Sequence, residues 1–318
     1  MPNFPLPIRI VLFITRLFMP NTRKPLNKTR GISNYFMRMM NRRAALKFPD
    51  FYSVEKMSFT SSEGHEIDLK IFTPVKRSDD LPGAKASAQS SDHYAPVWIY
   101  FHGGGFAWGA YDARSNFLKA VAMKAHCIVV AVKYRLAPEY PFPAGVNDCY
   151  EAALWVSRNA EKFGGDKNRI AIGGESAGGN LSAAVALMAR DNGAPKILHQ
   201  TLLYPTLDAT LTHPSIDKYA KGFLINKELM TNFRDSYLPD KKDWKNPYAS
   251  PLFGELKNLP PALVITAQYD TLVDEGDLYA EKLKEAGVSV VHKQYPNMIH
   301  DFVLMMPRFL PEAREALD

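Results

Sequence analysis

From residue 54 onward the chain breaks into short apolar runs. Residues 54–60 and 66–72 alternate apolar and polar positions, as half-buried antiparallel strands do, with Glu63-Gly64 as the turn between them. Six further runs follow, at 97–101, 128–132, 170–173, 198–204, 262–267 and 289–294. Helical patterns at 146–163, 181–190 and 275–286 lie between several of them. Apolar runs separated in this way predict an α/β protein with a mostly parallel sheet, helices covering both faces. Ligands of such sheets bind beyond the carboxyl ends of the strands, so reactive residues are expected immediately after strands.

Two stretches stand outside this rhythm. Residues 1–48 form a basic arm, and 206–245 is a segment rich in Tyr, Lys, Asp and Leu. Both are expected to cap the site, leaving 49–205 and 246–318 as the two parts of the core. Residues 76–95, rich in Ser, Ala, Asp and Gly, predict a surface loop. Residues 8–19 are apolar but too short to cross a bilayer of about 30 Å as a helix. They lack the basic start and small-residue cleavage site of a signal peptide. As a helix they place Arg9 and Arg16 on one face and a broad apolar stripe opposite. That stripe is expected to cover an apolar pocket of its own protein in preference to lying in a membrane interface.

Composition narrows the class further. Apolar residues make up 46% of the 318 and charged residues 23%, which suits a protein with a full core and excludes disorder or repeats as readings of the whole. The net charge of +6 is unevenly spread: the first 50 residues hold ten Lys or Arg against Asp50 alone, leaving the rest of the chain at −3. With no recognisable nucleic-acid-binding fold beside it, this arm does not indicate a nucleic-acid partner. Cys127 and Cys149 have neither metal-site nor redox spacing and are expected as small buried hydrophobes in a cytoplasmic protein.

The candidate chemistry begins at 170–180, IAIGGESAGGN, where an apolar run passes through G-x-S-x-G into a helical pattern. A strand-to-helix turn this sharp needs small neighbours two positions either side of Ser176, and it presents Ser176 Oγ at a helix N-terminus. The run 97–101 ends in His102-Gly103-Gly104-Gly105. Ester hydrolysis turns a carbonyl oxygen into an oxyanion, whose donors must already be aimed at it. Gly103, Gly104 and Ala177 are the expected donors, with His102 holding the loop. A serine nucleophile also needs a base and an acid to orient it, and in this fold class the order is Ser, acid, His. His300 follows the last strand pattern, whereas His292 lies inside it. Asp270 ends the run ALVITAQY and is preferred to Asp274, which starts the next helix.

Together, HGGGFAWG (102–109), YRLAPEYPFPAGVND (134–148), IAIGGESAGGNLSAAVAL (170–187), NLPPALVITAQYDTLVDEG (258–276) and IHDF (299–302) resemble the bacterial hormone-sensitive-lipase-like esterases of the α/β-hydrolase superfamily. The resemblance implies an eight-stranded sheet with a helical cap and carboxylesterase activity on short to medium acyl chains. It implies no cofactor or metal, and a supporting role for 134–139 beneath the oxyanion loop. The chain departs from the family pattern at Glu175 (mostly Asp), Thr271 (often Pro), Asp301 (usually Gly) and Lys133 (commonly Asp). Asp301, if close, should raise the pKa of His300.

Trp108, Phe223 and Leu224 are candidate substrate-binding walls, with ordinary packing as the alternative; the stripe Tyr35, Phe36, Met37, Met39 and Met40 is expected in a core. A lipase or amidase with the same residues is the nearer rival, and a non-catalytic ligand receptor the more distant one. Beyond a small-molecule ester, the partners considered are a membrane surface at 8–19 and a second copy of the chain.

Overall fold

The computed structural model describes residues 4–18, 25–44, 53–74, 94–109, 111, 113–305 and 307–318; within its helices, the side chains of 16–18, 40, 41, 43 and 44 are not described. The side chain of Met40 and nearly all of the expected loop 76–95 therefore lie outside the described part.

In chain order the elements are α1 (Leu6–Phe18), α2 (Leu26–Ala44), β1 (Ser53–Thr60), β2 (Glu66–Thr73), β3 (Ala95–Phe101), α3 (Ser115–Ala125), β4 (Ile128–Lys133), α4 (Ala144–Asn159), β5 (Gly165–Glu175), α5 (Ala177–Asp191), β6 (His199–Leu203), α6 (Pro214–Lys218), α7 (Lys227–Tyr237), β7 (Ala262–Tyr269), α8 (Val273–Glu285), β8 (Val290–Ile299), α9 (Phe302–Met305) and α10 (Pro311–Glu315). The strands form one eight-stranded sheet in the order β1-β2-β4-β3-β5-β6-β7-β8. The pairs β1/β2 and β2/β4 are antiparallel, and the remaining pairs are parallel.

Along β3 the side chains take turns between two cores. Val97, Ile99 and Phe101 join one apolar cluster with residues of α4, α5 and α8. Trp98 and Tyr100 join the other, with residues of α3, α9 and α1. Both faces of this strand are thus buried, which is why its sequence shows no polar alternation. The chain leaves β3 for β4 on one side and returns to β5 on the other, so the strand order reverses at β3. A crevice at the carboxyl ends of β3 and β5 follows from that reversal.

β8 is longer than the pattern suggested, running to Ile299. The pairing with β7 shifts register between Ala267 and Tyr269 and resumes at Tyr269↔Ile299, with the Asn297 N–H donating to Gln268 Oε1 at 2.9 Å. The next residues of the two strands, Asp270 and His300, therefore leave the sheet at the same level. Lys133 pairs in register with Asp68 of β2 and forms an ion pair with it, so this departure has a partner. Both cysteines are buried and free, and burial pushes the Cys127 thiol up to about 11.

The arm and the 206–245 segment meet above the crevice. Asn226 caps α7 by accepting from the Leu229 N–H at 2.8 Å, and Leu229, Met230, Phe233 and Tyr237 turn one buried face inward. α2 buries Leu26, Thr29, Ser33 and Phe36 and packs against α7 and α9. α1 buries Ile8, Val11 and Thr15, while Phe4 just before it packs edge-on against Tyr269 at 5.0 Å.

Candidate active site

Ser176 sits between the end of β5 and the start of α5 with φ 55° and ψ −119°, outside the regions an L-residue prefers. Its N–H donates to Leu203 O at 2.9 Å and its carbonyl accepts from Asn180 N at 3.1 Å, which hold the strained turn from both sides. A Cβ at Gly174 or Gly178 would lie 2.2 or 1.9 Å from the Phe101 carbonyl oxygen, so the elbow can press against β3 only with glycine at both places.

Asp270 is buried, and its Oδ2 lies 2.6 Å from His300 Nδ1. Its Oδ1 accepts the Leu272 N–H at 3.0 Å. Asp274 is engaged elsewhere, accepting the Ser215 N–H at 2.7 Å. Burial alone would lower the pKa of His300, but the charge and hydrogen bond of Asp270, with the nearby Asp301 and Glu175, outweigh it and hold the imidazole above its ordinary value. His292 lies within β8 beside Asp277, with Nε2 2.9 Å from Oδ1.

Ser176 and His300 line one cavity. Its remaining wall is mostly apolar, with Phe36 and Met37 of α2, Trp108, Leu224, Ile225, Leu229, Phe233 and Met305. Ser176 also borders a second cavity, together with Asn180, Leu211, Met230 and Tyr237; Gly105, Ile225 and Phe233 are common to both. Of the expected walls, Trp108 and Leu224 face the first cavity. Phe223 does not: it is held in an aromatic group with Phe4, Tyr219 and Tyr269, at centroid distances of 6.2, 5.1 and 5.9 Å. The arm's stripe is split: Phe36 and Met37 pack in the core as expected and also line the cavity, Met39 packs against the core, and Tyr35 is exposed.

The glycine loop corrects one expectation. Gly103 is not free to serve an oxyanion, because its N–H donates to Glu175 Oε1 at 2.8 Å. Gly104 and Gly105, both at positive φ, line the cavity, and no acceptor is found for their N–H groups or that of Ala177 among the described residues. Beneath the loop, the Tyr134 hydroxyl donates to the His102 carbonyl at 2.6 Å while its ring stacks on the imidazole at 4.4 Å. The Ala137 N–H donates to Phe106 O at 2.9 Å. Above it, α2 clamps the same loop. Arg30 Nε donates to Ala107 O at 2.6 Å, Asn34 and Gly109 exchange two hydrogen bonds, and Trp108 Nε1 donates to Leu26 O at 3.0 Å. No motif announces Arg30 or Asn34; their role depends on how α2 is packed.

A family profile described as alpha/beta hydrolase fold matches residues 98–304. The chain is 43% identical over 255 residues to the carboxylesterase NlhH of Mycobacterium tuberculosis, covering 79% of this chain and 75% of that protein. The chain belongs to the hormone-sensitive-lipase-like branch of the α/β-hydrolases. Within this family it is also 37% identical to an arylesterase of Saccharolobus solfataricus, over 76% of this chain and 74% of that one. Among solved structures, a hyperthermophilic esterase from the archaeon Pyrobaculum calidifontis superposes with a TM-score of 0.88 at 36% identity, over 100% of this chain and 96% of that one.

Proposed function

We propose that this α/β-hydrolase cleaves carboxylic esters of short to medium acyl chain by acyl transfer through Ser176. His300 takes the hydroxyl proton as Ser176 Oγ attacks the ester carbonyl, and Asp270 keeps the imidazole in the tautomer that leaves the other ring nitrogen free to accept. The amides of Gly104, Gly105 and Ala177 receive the oxyanion. The tetrahedral intermediate collapses, the C–O bond to the alcohol breaks, and His300 returns its proton to the leaving oxygen. Water, deprotonated by the same imidazole, then attacks the acyl-serine and releases the acid.

The observation that carries this reading is the buried 2.6 Å contact between Asp270 and His300 on the rim of the cavity that Ser176 also lines. Two cavities meeting at Ser176 suit a substrate with an acyl and an alcohol arm, and bulky walls at Trp108 and Phe233 favour short chains. Hydrolysis of p-nitrophenyl acetate, butyrate and octanoate by the native chain and by Ser176→Ala tests the reading. The native chain should prefer the shorter esters, and the variant should lose at least about 10⁴-fold in kcat. A variant within tenfold of native rules out Ser176 as nucleophile, and selective cleavage of long emulsified esters favours a lipase.

A specific observation also supports the membrane alternative for α1. Leu6, Ile10 and Phe13 are 65%, 48% and 64% exposed and fall on one outer stripe beside Arg9. The helix thus covers its own protein with one face and offers a second apolar face, on a strongly basic arm, to an anionic lipid surface. No helix among the described residues is long and apolar enough to cross a membrane.

A further inference from the structure

One buried cation links the three parts of the site. Arg114, just before α3, donates from Nε to Glu175 Oε1 at 3.0 Å and from Nη2 to Asp301 Oδ2 at 3.0 Å. Glu175 directly precedes Ser176 and also accepts the Gly103 N–H at 2.8 Å and the Tyr100 hydroxyl at 2.6 Å. Asp301 directly follows His300 and faces the Tyr204 hydroxyl at 3.5 Å. The guanidinium therefore reaches the nucleophile elbow and the glycine loop through one carboxylate, and the base loop through the other. A single arginine thus joins the residue before Ser176 to the residue after His300.

The three side chains are only 5%, 1% and 10% exposed. Among the described residues Nη1 is buried without a hydrogen-bond partner, and there the hold of Arg114 is exerted through these two carboxylates. Buried ion pairs rarely stabilise more than well-packed apolar residues do, so stability is a weak reason for placing three charges here. Geometry is a better one, because a displacement of about 1 Å among reacting groups can slow a reaction by roughly 10².

We propose that Arg114 is a positioning residue for ester hydrolysis, setting the elbow, the glycine loop and the base loop in register through Glu175 and Asp301. The proposal rests on the Ser176–His300–Asp270 reading. The groups around His300 that bear on its titration are Asp270, Asp301, Glu175, Arg114 and Tyr204.

The test measures p-nitrophenyl butyrate turnover per active site, with active Ser176 counted by fluorophosphonate labelling, in native, Arg114→Gln, Arg114→Lys, Asp301→Asn and the Arg114→Gln/Asp301→Asn pair. Arg114→Gln should lose about 10²-fold in kcat per labelled site with KM within about threefold. Lysine should restore little, since one ammonium cannot span both carboxylates. Asp301→Asn should move the acid limb of kcat/KM to lower pH, and the pair should lose less than the product of the single losses. Native turnover per labelled site in Arg114→Gln, or strictly multiplicative losses, overturns the proposal. If Arg114→Gln does not fold, the same cycle is run with Arg114→Lys and judged by the same criterion. Failure of the native chain to label at Ser176 contradicts the underlying triad reading instead.

Discussion

The floor and the roof of the cavity are built in different ways. The floor is set by strand register and buried charge. Tyr269↔Ile299 pairing delivers Asp270 and His300 side by side, and Arg114 ties the elbow to the base loop from below. The roof is assembled from distant sequence: α2 and α7 close over the glycine loop through the Arg30 and Asn34 clamps and the contact of Phe233 with Trp108 at 4.8 Å. Arg30 and its ion partner Glu139 remain partly exposed, whereas Arg114 and its carboxylates do not. A floor held by backbone pairing and buried charge sets the positions of these side chains, and a roof held by side chains from distant sequence leaves chain-length selection open to change.

Substitutions on the floor should therefore cost the most rate, and those on the roof should cost less of it or redirect it. After loss of Ser176 itself, the largest effect is expected at Asp270→Asn, which keeps the side chain's shape but favours the wrong imidazole tautomer; kcat should fall about 10⁴-fold with little change in KM. On the roof, Arg30→Ala loosens the glycine loop from α2, and stopped-flow acylation should slow by roughly tenfold. Phe233→Ala joins the two cavities, so the ratio of octanoate to acetate turnover should rise; an unchanged ratio would mean that Phe233 does not divide the arms.

The pH profile sharpens the contrast, because only neutral imidazole can accept the serine proton. His300 is held above its ordinary value, so kcat/KM should decline as pH falls through a point higher than the usual imidazole pKa of about 6.5. A limb below that value would mean that burial outweighs the carboxylates. The smallest effect on soluble-ester turnover is expected at Phe13→Ser, which leaves the floor untouched. Co-sedimentation with anionic vesicles should nevertheless weaken, and undiminished binding would remove α1 from the membrane reading.

Much of the floor could be read in the sequence because its residues sit at strand ends, which hydrophobic runs mark well. Asp270 and His300 were locatable in this way even though β8 extends five residues beyond the expected run. The glycine loop was harder. Three consecutive glycines do not reveal which peptides face the cavity; that depends on the positive φ of Gly104 and Gly105 and on the competing acceptor at Glu175. Phe223 stands apart from the cavity because Phe4 and Tyr269, remote in sequence, capture its ring. Arg114 belongs to no motif. Glu175 and Asp301 were each visible as departures, but their connection exists only in three dimensions.

The most direct test is to quench a reaction with p-nitrophenyl butyrate during the first turnovers and map the acyl group by peptide mass spectrometry. Nucleophilic attack by Ser176 predicts a butyryl ester on that residue in the native chain and no adduct on the corresponding peptide of Ser176→Ala. Butyryl found on another residue in the native chain, with hydrolysis continuing at the native rate in Ser176→Ala, would contradict it.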